Sequence, residues 1–410
     1  MSLVINTNIS SLQAQNNLTK SQSALATATE RLSSGLQINS AADNAAGFAI
    51  AQRYTTQIGG LGQASQNASD AINLAQTAGS ALDQVTANLQ AIRDLAVQSA
   101  NGTYSAGDRA SIDNEVQQRL QEITRIANQT TFNGSNVLDG SLGTKSFQVG
   151  ANVGQTISVS LTTSVKASAL GSVSSFDSAN LSGAFVSSGT STAAQTLDLS
   201  KITIAYTGSD GVTTGSVTLA GTASNAQGVS DAINAALSGN VSAAVDGNGG
   251  VNIFSSGSFK VTDAGSVASG SALGAGSAGK ITGTGATSGT GTATGAYTDG
   301  TAIAATGSLQ GGDVKTVSDA NALISRIDVA LTTVSDFSAQ LGAVQNRFQS
   351  TISTLSAQTT NLQASQSTIQ DANFAAETAN LSKAQVLEQA GISVLAQANA
   401  QPQVVLHLLP

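Results

Sequence analysis

Residues 323–362 read LISRIDVALTTVSDFSAQLGAVQNRFQSTISTLSAQTTNL. Within them Leu323, Ile327, Ala330, Val334, Phe337, Leu341, Val344, Phe348, Thr351, Leu355, Gln358 and Leu362 alternate steps of four and three. Thr351 and Gln358 are the only polar lapses. A hydrophobic repeat of 3.5 residues predicts a long helix that packs as coiled coils do, knobs into holes, rather than an ordinary globular face. Thr316 followed by Asp319 supplies its start signal. Such a helix needs partners, and the rest of the chain is read for them.

The N-terminal part supplies two. Ala75, Ala78, Leu82, Val85, Leu89, Ile92 and Ala96 step by three and four, predicting a second long helix. Ile112, Val116, Ile123 and Ile126 predict a third after a capping box at Ser105 and Asp108. The loop Asn101-Gly102-Thr103 folds these two into a hairpin. The bundle residues expected from these stripes are Leu82, Val85, Leu89, Ile92, Leu323, Ile327, Val334, Phe337, Leu341, Val344, Phe348 and Leu355.

The outermost segments differ. Leu18, Leu25 and Leu32 recur every seven residues with Ala14, Ser21 and Ala28 between them, and Phe374, Leu381, Leu387 and Leu395 mark a last helix running past Asp371 to about Ala400. Both segments are rich in Ala, Ser, Thr, Asn and Gln. A thin apolar stripe makes a helix marginal alone. These ends should need each other and neighbouring copies, with Leu18, Leu25, Leu32, Phe374, Leu381 and Leu395 as the assembling core.

Glycine separates the middle from the ends. Residues 1–139 hold nine, 140–312 hold thirty-one and 313–410 hold two, so the centre is turn-rich and the ends are helix-compatible. In the centre, Ile202, Ile204 and Tyr206 alternate, as do Val217 and Leu219, with Asp210-Gly211 between them. Val229, Ile233 and Leu237 have helical spacing. Val251 with Ile253, and Phe259 with Val261, read as short strands. Asn133-Gly134, Asp139-Gly140 and the alternation Ile157, Val159, Leu161 suggest hairpins where the helical part meets the β part. Residues 264–300 are low in complexity.

The expected fold is mainly α at both termini, a long coiled-coil helical bundle, with a β-rich central insertion: multidomain α+β. The expected divisions are a core helix over 1–40, half of the bundle with hairpins over 41–160, and a β-rich surface insertion over 161–312. The other half of the bundle follows over 313–365, and a second core helix over 366–410.

Composition narrows the chemistry. The 410 residues include no Cys, one His and two Pro, and only 10% are charged. Without Cys there are no disulfides, thiolate nucleophiles or Cys-based zinc sites. The single His, His407, nearly excludes a His-containing triad and a multi-His metal site. Sixteen basic against twenty-four acidic residues give a net charge of −8, which disfavours phosphate-backbone partners. No run of apolar residues is long enough to cross a membrane, and Met1–Asn8 lacks the form of a cleaved secretory signal. Export routes without such a signal stay open.

Gly274–Ile281 matches GxGxxG, and GxxxxGK up to its last position. It has neither a strand before it nor a Ser or Thr to follow the Lys, so chance in a glycine-rich stretch explains it. Asp43, Asp70 and Asp94 read as caps or solvated helix faces, and Asn67-Ala-Ser69 as a chance sequon. No catalytic constellation emerges, and no cofactor or metal is expected.

Certain ordered segments carry a resemblance. Ile5-Asn6-Thr7-Asn8, Glu30-Arg31-Leu32-Ser33-Ser34-Gly35, Ala41-Ala42-Asp43-Asn44-Ala45-Ala46-Gly47 and Leu95–Thr103 resemble the start of bacterial flagellin. Thr131-Phe132-Asn133-Gly134 and Phe147–Asn152 continue it, and Gln345-Asn346-Arg347-Phe348 with Asp371–Glu377 match the family's C-terminal part. The middle around 201–262 is similar to a β-rich insertion of many flagellins.

The resemblance implies a non-enzymatic, secreted subunit of the extracellular flagellar filament, a homopolymer that serves motility. It also implies unfolded type III export, a chaperone at the C-terminal helix, and contacts with the cap and the hook–filament junction protein. It further implies a Toll-like receptor 5 epitope at Leu95 and Glu115, with Gln98 and Arg119 nearby; Ala91 replaces a common Arg and is expected to weaken binding. Val404, His407 and Pro410 depart from the family's usual ending. Three alternatives stay open at this point: a surface adhesin or glycan-binding protein, an enzyme housed in the insertion, and a junction protein.

Overall fold

The computed structural model describes residues 8–178, 181, 185, 196–208, 214–237, 241–245, 249–264, 283–285, 295–296 and 307–406. The Asp210-Gly211 turn, the Gly274–Ile281 motif, His407 and Pro410 lie outside them. The chain divides into two compact units. One comprises residues 1–69, 148–157 and 349–410, the other 70–147 and 158–348.

The helices are α1 (Ile9–Ser34), α2 (Ala45–Ala100), α3 (Ala106–Gln129), α4 (Ala226–Ala236), α5 (Val317–Gln370) and α6 (Phe374–Leu406). Long helices at both ends and short strands between them bear out the expected fold class. No described helix is long and apolar enough to cross a membrane.

In the larger unit, α2 and α3 form the expected hairpin. Ser105 caps α3: its Oγ accepts the Asp108 N–H at 3.2 Å, while the Asp108 carboxylate accepts the Ser105 N–H at 3.0 Å. The α5 stretch of this unit runs antiparallel to α2. The Ser99 hydroxyl donates to the Val314 carbonyl at 2.5 Å, and Arg93 meets Asp328 at 2.7 Å. Between the helices, Leu82, Val85, Leu89, Ile92, Ile123, Ile327 and Val334 are fully buried, and Phe348 stacks edge-on against Phe147 at 5.7 Å.

The inward face of α3 is Asp113, Val116, Leu120, Ile123 and Ala127, with Ile112 and Ile126 only half-buried. The apolar pattern had placed Ile112 where Asp113 sits. The aspartate is tolerated inside because its Oδ1 accepts the Val314 N–H and the Gln117 amide, both at 3.2 Å, with Lys315 3.4 Å from its other oxygen.

Along α5 the stripe also shifts. Thr351 and Ile352 are both half-buried, Gln358 is exposed and Thr359 is half-buried. The stripe therefore takes two steps of four in succession, from Val344 to Phe348 and on to Ile352. An α-helix with 3.6 residues per turn drifts against a strict 3.5 repeat, and the extra step of four absorbs that drift.

The strands fall mainly in the larger unit. β1 (Thr131–Phe132) and β2 (Ser135–Asn136) pair across the Asn133-Gly134 turn, where both residues have positive φ, 47° and 75°. β3 (Gly143–Gln148) pairs with β4 (Thr156–Leu161), whose alternate residues Ile157, Val159 and Leu161 are buried.

Further on come β5 (Ser174–Ser178), β6 (Leu197–Asp198), β7 (Ile202–Thr207), β8 (Thr214–Thr218) and β9 (Thr222–Ala223). They are followed by β10 (Val241–Val245), β11 (Val251–Ser255), β12 (Phe259–Asp263), β13 (Gly283–Gly285) and β14 (Gly295–Ala296). The order β12-β7-β8 makes one antiparallel sheet and β10-β11-β5-β13-β14 another, while β6 pairs with β9. Their core unites Ile202, Ile204, Phe259 and Val261 with Val229 and Ile233 of α4. Asn234 of α4 donates to and accepts from the Ala243 backbone at 2.8 and 2.7 Å, so a side chain completes the edge of β10.

In the smaller unit, Leu61, Ala64 and Leu355 cluster with Leu362, and α1 lies antiparallel to α6.

Candidate assembly interface

The α1–α6 pair is built from two thin stripes in register. Asn8 donates to the Ala398 carbonyl at 2.8 Å and Ser11 to Asn399 at 2.7 Å. Leu18 faces Gly391, and Leu36 bridges Asp371. These pairings hold one antiparallel register from end to end. Gly35, at φ 72°, closes α1 in the left-handed conformation; its N–H returns to Arg31 and its carbonyl accepts the Ala372 N–H at 2.9 Å. On the other side Asn373 opens α6 by accepting the N–H groups of Ala375 and Ala376.

The inward face of α1 is Ser11, Ala14, Leu18, Ser21, Leu25, Ala28 and Leu32. That of α6 is Glu377, Leu381, Ala384, Glu388, Gly391, Leu395 and Ala398. Small residues let the helices approach closely, but two helices cover little. Ala14, Ala28, Ala384 and Ala398 are buried, whereas Leu18, Leu25, Leu32, Leu381 and Leu395 remain half-buried.

The outward faces are the unusual part. Ile9 and Leu12 on α1, and Phe374, Val386, Leu387, Ile392 and Val394 on α6, are each about half exposed or more. Among the described residues only two other large apolar side chains, Val97 and Val153, are as exposed. Apolar surface concentrated on one pair of helices marks an interaction face. Phe374, expected from sequence among the residues of the assembling core, is 68% exposed in the single subunit and belongs to this outer set.

Several hydroxyls on these two helices are satisfied within their own helix. The hydroxyls of Thr19, Ser21, Thr27, Thr29 and Thr378 donate to the carbonyls four residues back at 2.7–3.0 Å. Charges are sparse: only Lys20, Glu30 and Arg31 on α1, and Glu377, Lys383 and Glu388 on α6.

Ile9, Leu12, Val386, Ile392 and Val394 lie off the heptad repeat, so the repeat alone does not mark them. Apolar residues that break the heptad were the available signal. For Asp113 there was none, since Val314 and Lys315, which face its carboxylate beside the local Gln117, come from a distant stretch of chain.

Of the other residues named from sequence, the bundle set (apart from Leu355) and the group Leu95, Gln98, Glu115 and Arg119 fall in the larger unit, while Asp43 and Asn67 fall in the smaller one. The bundle set is buried throughout except for Val344, which is half-buried. Leu95 and Gln98 sit on the last turns of α2, where Gln98 donates to the Tyr104 hydroxyl at 2.9 Å. On α3, Glu115 pairs with Arg119 at 2.7 Å. Asp43 is a loop cap, accepting from the Asn39 and Ser40 backbones, and Ser40 holds its carboxyl below the usual range. Asn67 donates to the Gln148 carbonyl at 3.0 Å. Among the described residues no group of three or more acidic or imidazole side chains could hold a metal ion.

Comparison with known proteins agrees with this layout. Residues 5–142 match the bacterial flagellin N-terminal helical region, and residues 324–409 match the bacterial flagellin C-terminal helical region. The chain is 38% identical to the B-type flagellin of Pseudomonas aeruginosa and 38% identical to the flagellin of Salmonella typhimurium, each over the whole of both chains. A solved FliC structure from Burkholderia pseudomallei is 29% identical, covering 68% of this chain and 99% of that one at a TM-score of 0.36. Full-length identity at this level, with both terminal regions matched in order, places the chain in the bacterial flagellin family.

Proposed function

We propose that the chain is the structural subunit of an extracellular flagellar filament, polymerising through α1 and α6. The observation that carries this reading is the outward apolar face of those two helices, Ile9, Leu12, Phe374, Val386, Leu387, Ile392 and Val394, on a pair too thin to bury it alone. Burying one such side chain is worth about 1.5–3 kcal/mol, so covering several in each subunit gives polymerisation a strong drive. Full-length similarity to flagellins favours this reading over an adhesin or an enzyme.

The finer expectations follow from family membership. Subunits leave the cell unfolded through the flagellar type III apparatus, with a chaperone holding the α6 segment, and add at the tip under a cap protein above a junction protein. The absence of Cys and the scarcity of Pro suit that route, because disulfides block threading and X-Pro isomerisation takes tens of seconds. Leu95, Gln98, Glu115 and Arg119 form the surface read by Toll-like receptor 5, with affinity lowered by Ala91.

The test is electron microscopy of purified protein after seeding. Wild type should give long tubes, and Val386→Ser with Leu387→Ser should give none while urea unfolding of the bundle is unchanged. Tubes from both proteins would refute the role of α6, and persistent wild-type monomers would refute the filament reading.

A further inference from the structure

We propose that α2 carries a hinge at residues 59–62, where the helix bends about Leu61 without unfolding and gives the polymer bending freedom; the polymer part rests on the filament reading above. The helix runs unbroken over Ala45–Ala100, and three of its five glycines, Gly59, Gly60 and Gly62, fall within four residues. Glycine inside a helix is costly against alanine, so each position asks for a reason.

Gly60 has one. Ala151 lies so close that a Cβ on Gly60 would stand 3.0 Å from the Ala151 Cβ. Gly59 and Gly62 have no such neighbour: both are exposed, and a Cβ on either would meet nothing within 4 Å. Alanine fits at both and would strengthen the helix. Each glycine instead raises the local opening constant about fivefold over alanine.

The surroundings give the bend a direction. On the inner side, Leu61 and Ala64 are buried in a cluster with Leu355 and Leu362. On the outer side, Gly59 and Gly62 have no side chain to shield the backbone from water. Solvent-side hydrogen bonds lengthen when a helix curves, and sharp bends gather at small residues. Leu61 is therefore the fixed inner point, and the two exposed glycines are the yielding outer edge.

Both flanks are braced. Before the glycines, Gln366 of α5 donates to the Thr55 hydroxyl at 2.9 Å, and the Thr55 and Thr56 hydroxyls donate to the Ala51 and Gln52 carbonyls at 3.1 and 3.0 Å. After them, Asn67 donates to the Gln148 carbonyl at 3.0 Å and accepts from Gln63 at 3.2 Å. Residues 58–62, between these braces, carry no polar side-chain atom. All of these residues belong to the smaller unit. Two held stretches of one helix joined by a short unbraced link make a hinge.

The chain has no cysteine, so paired spin labels test the bend cleanly. One double variant is Ala49→Cys with Ser69→Cys, across the glycine cluster. The control is Asp70→Cys with Gln90→Cys, across the lone open Gly79. Each pair spans twenty residues of α2, or about 30 Å at 1.5 Å per residue. Labelled protein is measured by pulsed electron resonance, both soluble and diluted into seeded unlabelled wild type. A broader distance distribution is expected for the first pair, narrowing to the control width in the Gly59→Ala, Gly62→Ala background. Equal widths in the wild-type background, or a width that survives the two alanines, would overturn the hinge. Wild type that fails to polymerise would overturn the filament reading, while the soluble chain still decides the hinge. As a second measurement, the two alanines should slow hydrogen exchange at amides 59–66 about tenfold or more, and Gly79→Ala should leave those amides unchanged. Polymers of the double alanine variant should also be stiffer by electron microscopy, and an unchanged persistence length would overturn the role in the polymer.

Discussion

Leu18 and Gly391 meet across the α1–α6 pair: a Cβ on the glycine would stand 3.3 Å from the leucine Cδ1 and 3.8 Å from its Cα. The glycine therefore sets how closely the two helices approach. Gly391→Val adds a branched side chain where one methyl is already tight, so the pair should part there. Lower helicity by circular dichroism and failure to polymerise on seeds are expected. Gly391→Ala should be nearly neutral, because about 1 kcal/mol of helix propensity offsets the tight contact. Equal behaviour of the two variants would contradict this account.

Asp113 holds the strand of chain leading into α5. Asp113→Ala leaves the buried Val314 N–H without its acceptor, and a loss of about 2–3 kcal/mol in urea unfolding of the bundle is expected. Asp113→Asn keeps an acceptor oxygen and should lose about 1 kcal/mol. A neutral Asp113→Ala would show that the contact carries no stability.

Burial separates residues that the heptad pattern treats alike. Leu89 is fully enclosed while Val344 is half-buried. Leu89→Ala should cost about 2–5 kcal/mol and Val344→Ala under about 1 kcal/mol, measured as shifts of the urea midpoint at constant slope.

Asp139 supplies a pH signature. Its carboxylate accepts the Ser141 hydroxyl at 2.6 Å and the Ser141 N–H at 2.9 Å, with Asn136 and Lys166 also beside it, and these hold its pKa down to about 2. The folded pKa lies below the unfolded value of about 3.9. The stabilisation is therefore fully present above about pH 4 and is lost as pH falls through about 2. The carboxyl carbon of Asp139 should titrate near 2 by NMR, and part of the way back toward the ordinary value in Ser141→Ala, which removes the hydroxyl but keeps the backbone N–H, Asn136 and Lys166. An ordinary midpoint in wild type would contradict the geometry.

Much of this fold was legible in sequence because it rests on local rules. The repeat from Leu323 onward, the Ser105–Asp108 box, the Asn133-Gly134 turn and the alternation of Ile157, Val159 and Leu161 each reflect short-range physics. The rest depended on distance along the chain. The place of Asp113 in the bundle is set by Val314, about two hundred residues away, and the shift from Thr351 to Ile352 by drift accumulated over many turns. The repeat located the α1–α6 seam, yet the outward face that distinguishes an assembling helix lay in Ile9, Leu12, Val386, Ile392 and Val394, which break the repeat.

In the polymer, the filament reading has α1 and α6 bury their outer faces against other copies. Hydrogen–deuterium exchange of the amides of Ser11–Leu32 and Val386–Leu395, in monomer and in seeded polymer, tests it most directly. Fast exchange in the monomer and strong protection in the polymer are expected, while Leu82–Ile92 of α2 stays protected in both. Polymers in which α1 and α6 exchange as fast as in the monomer would contradict it.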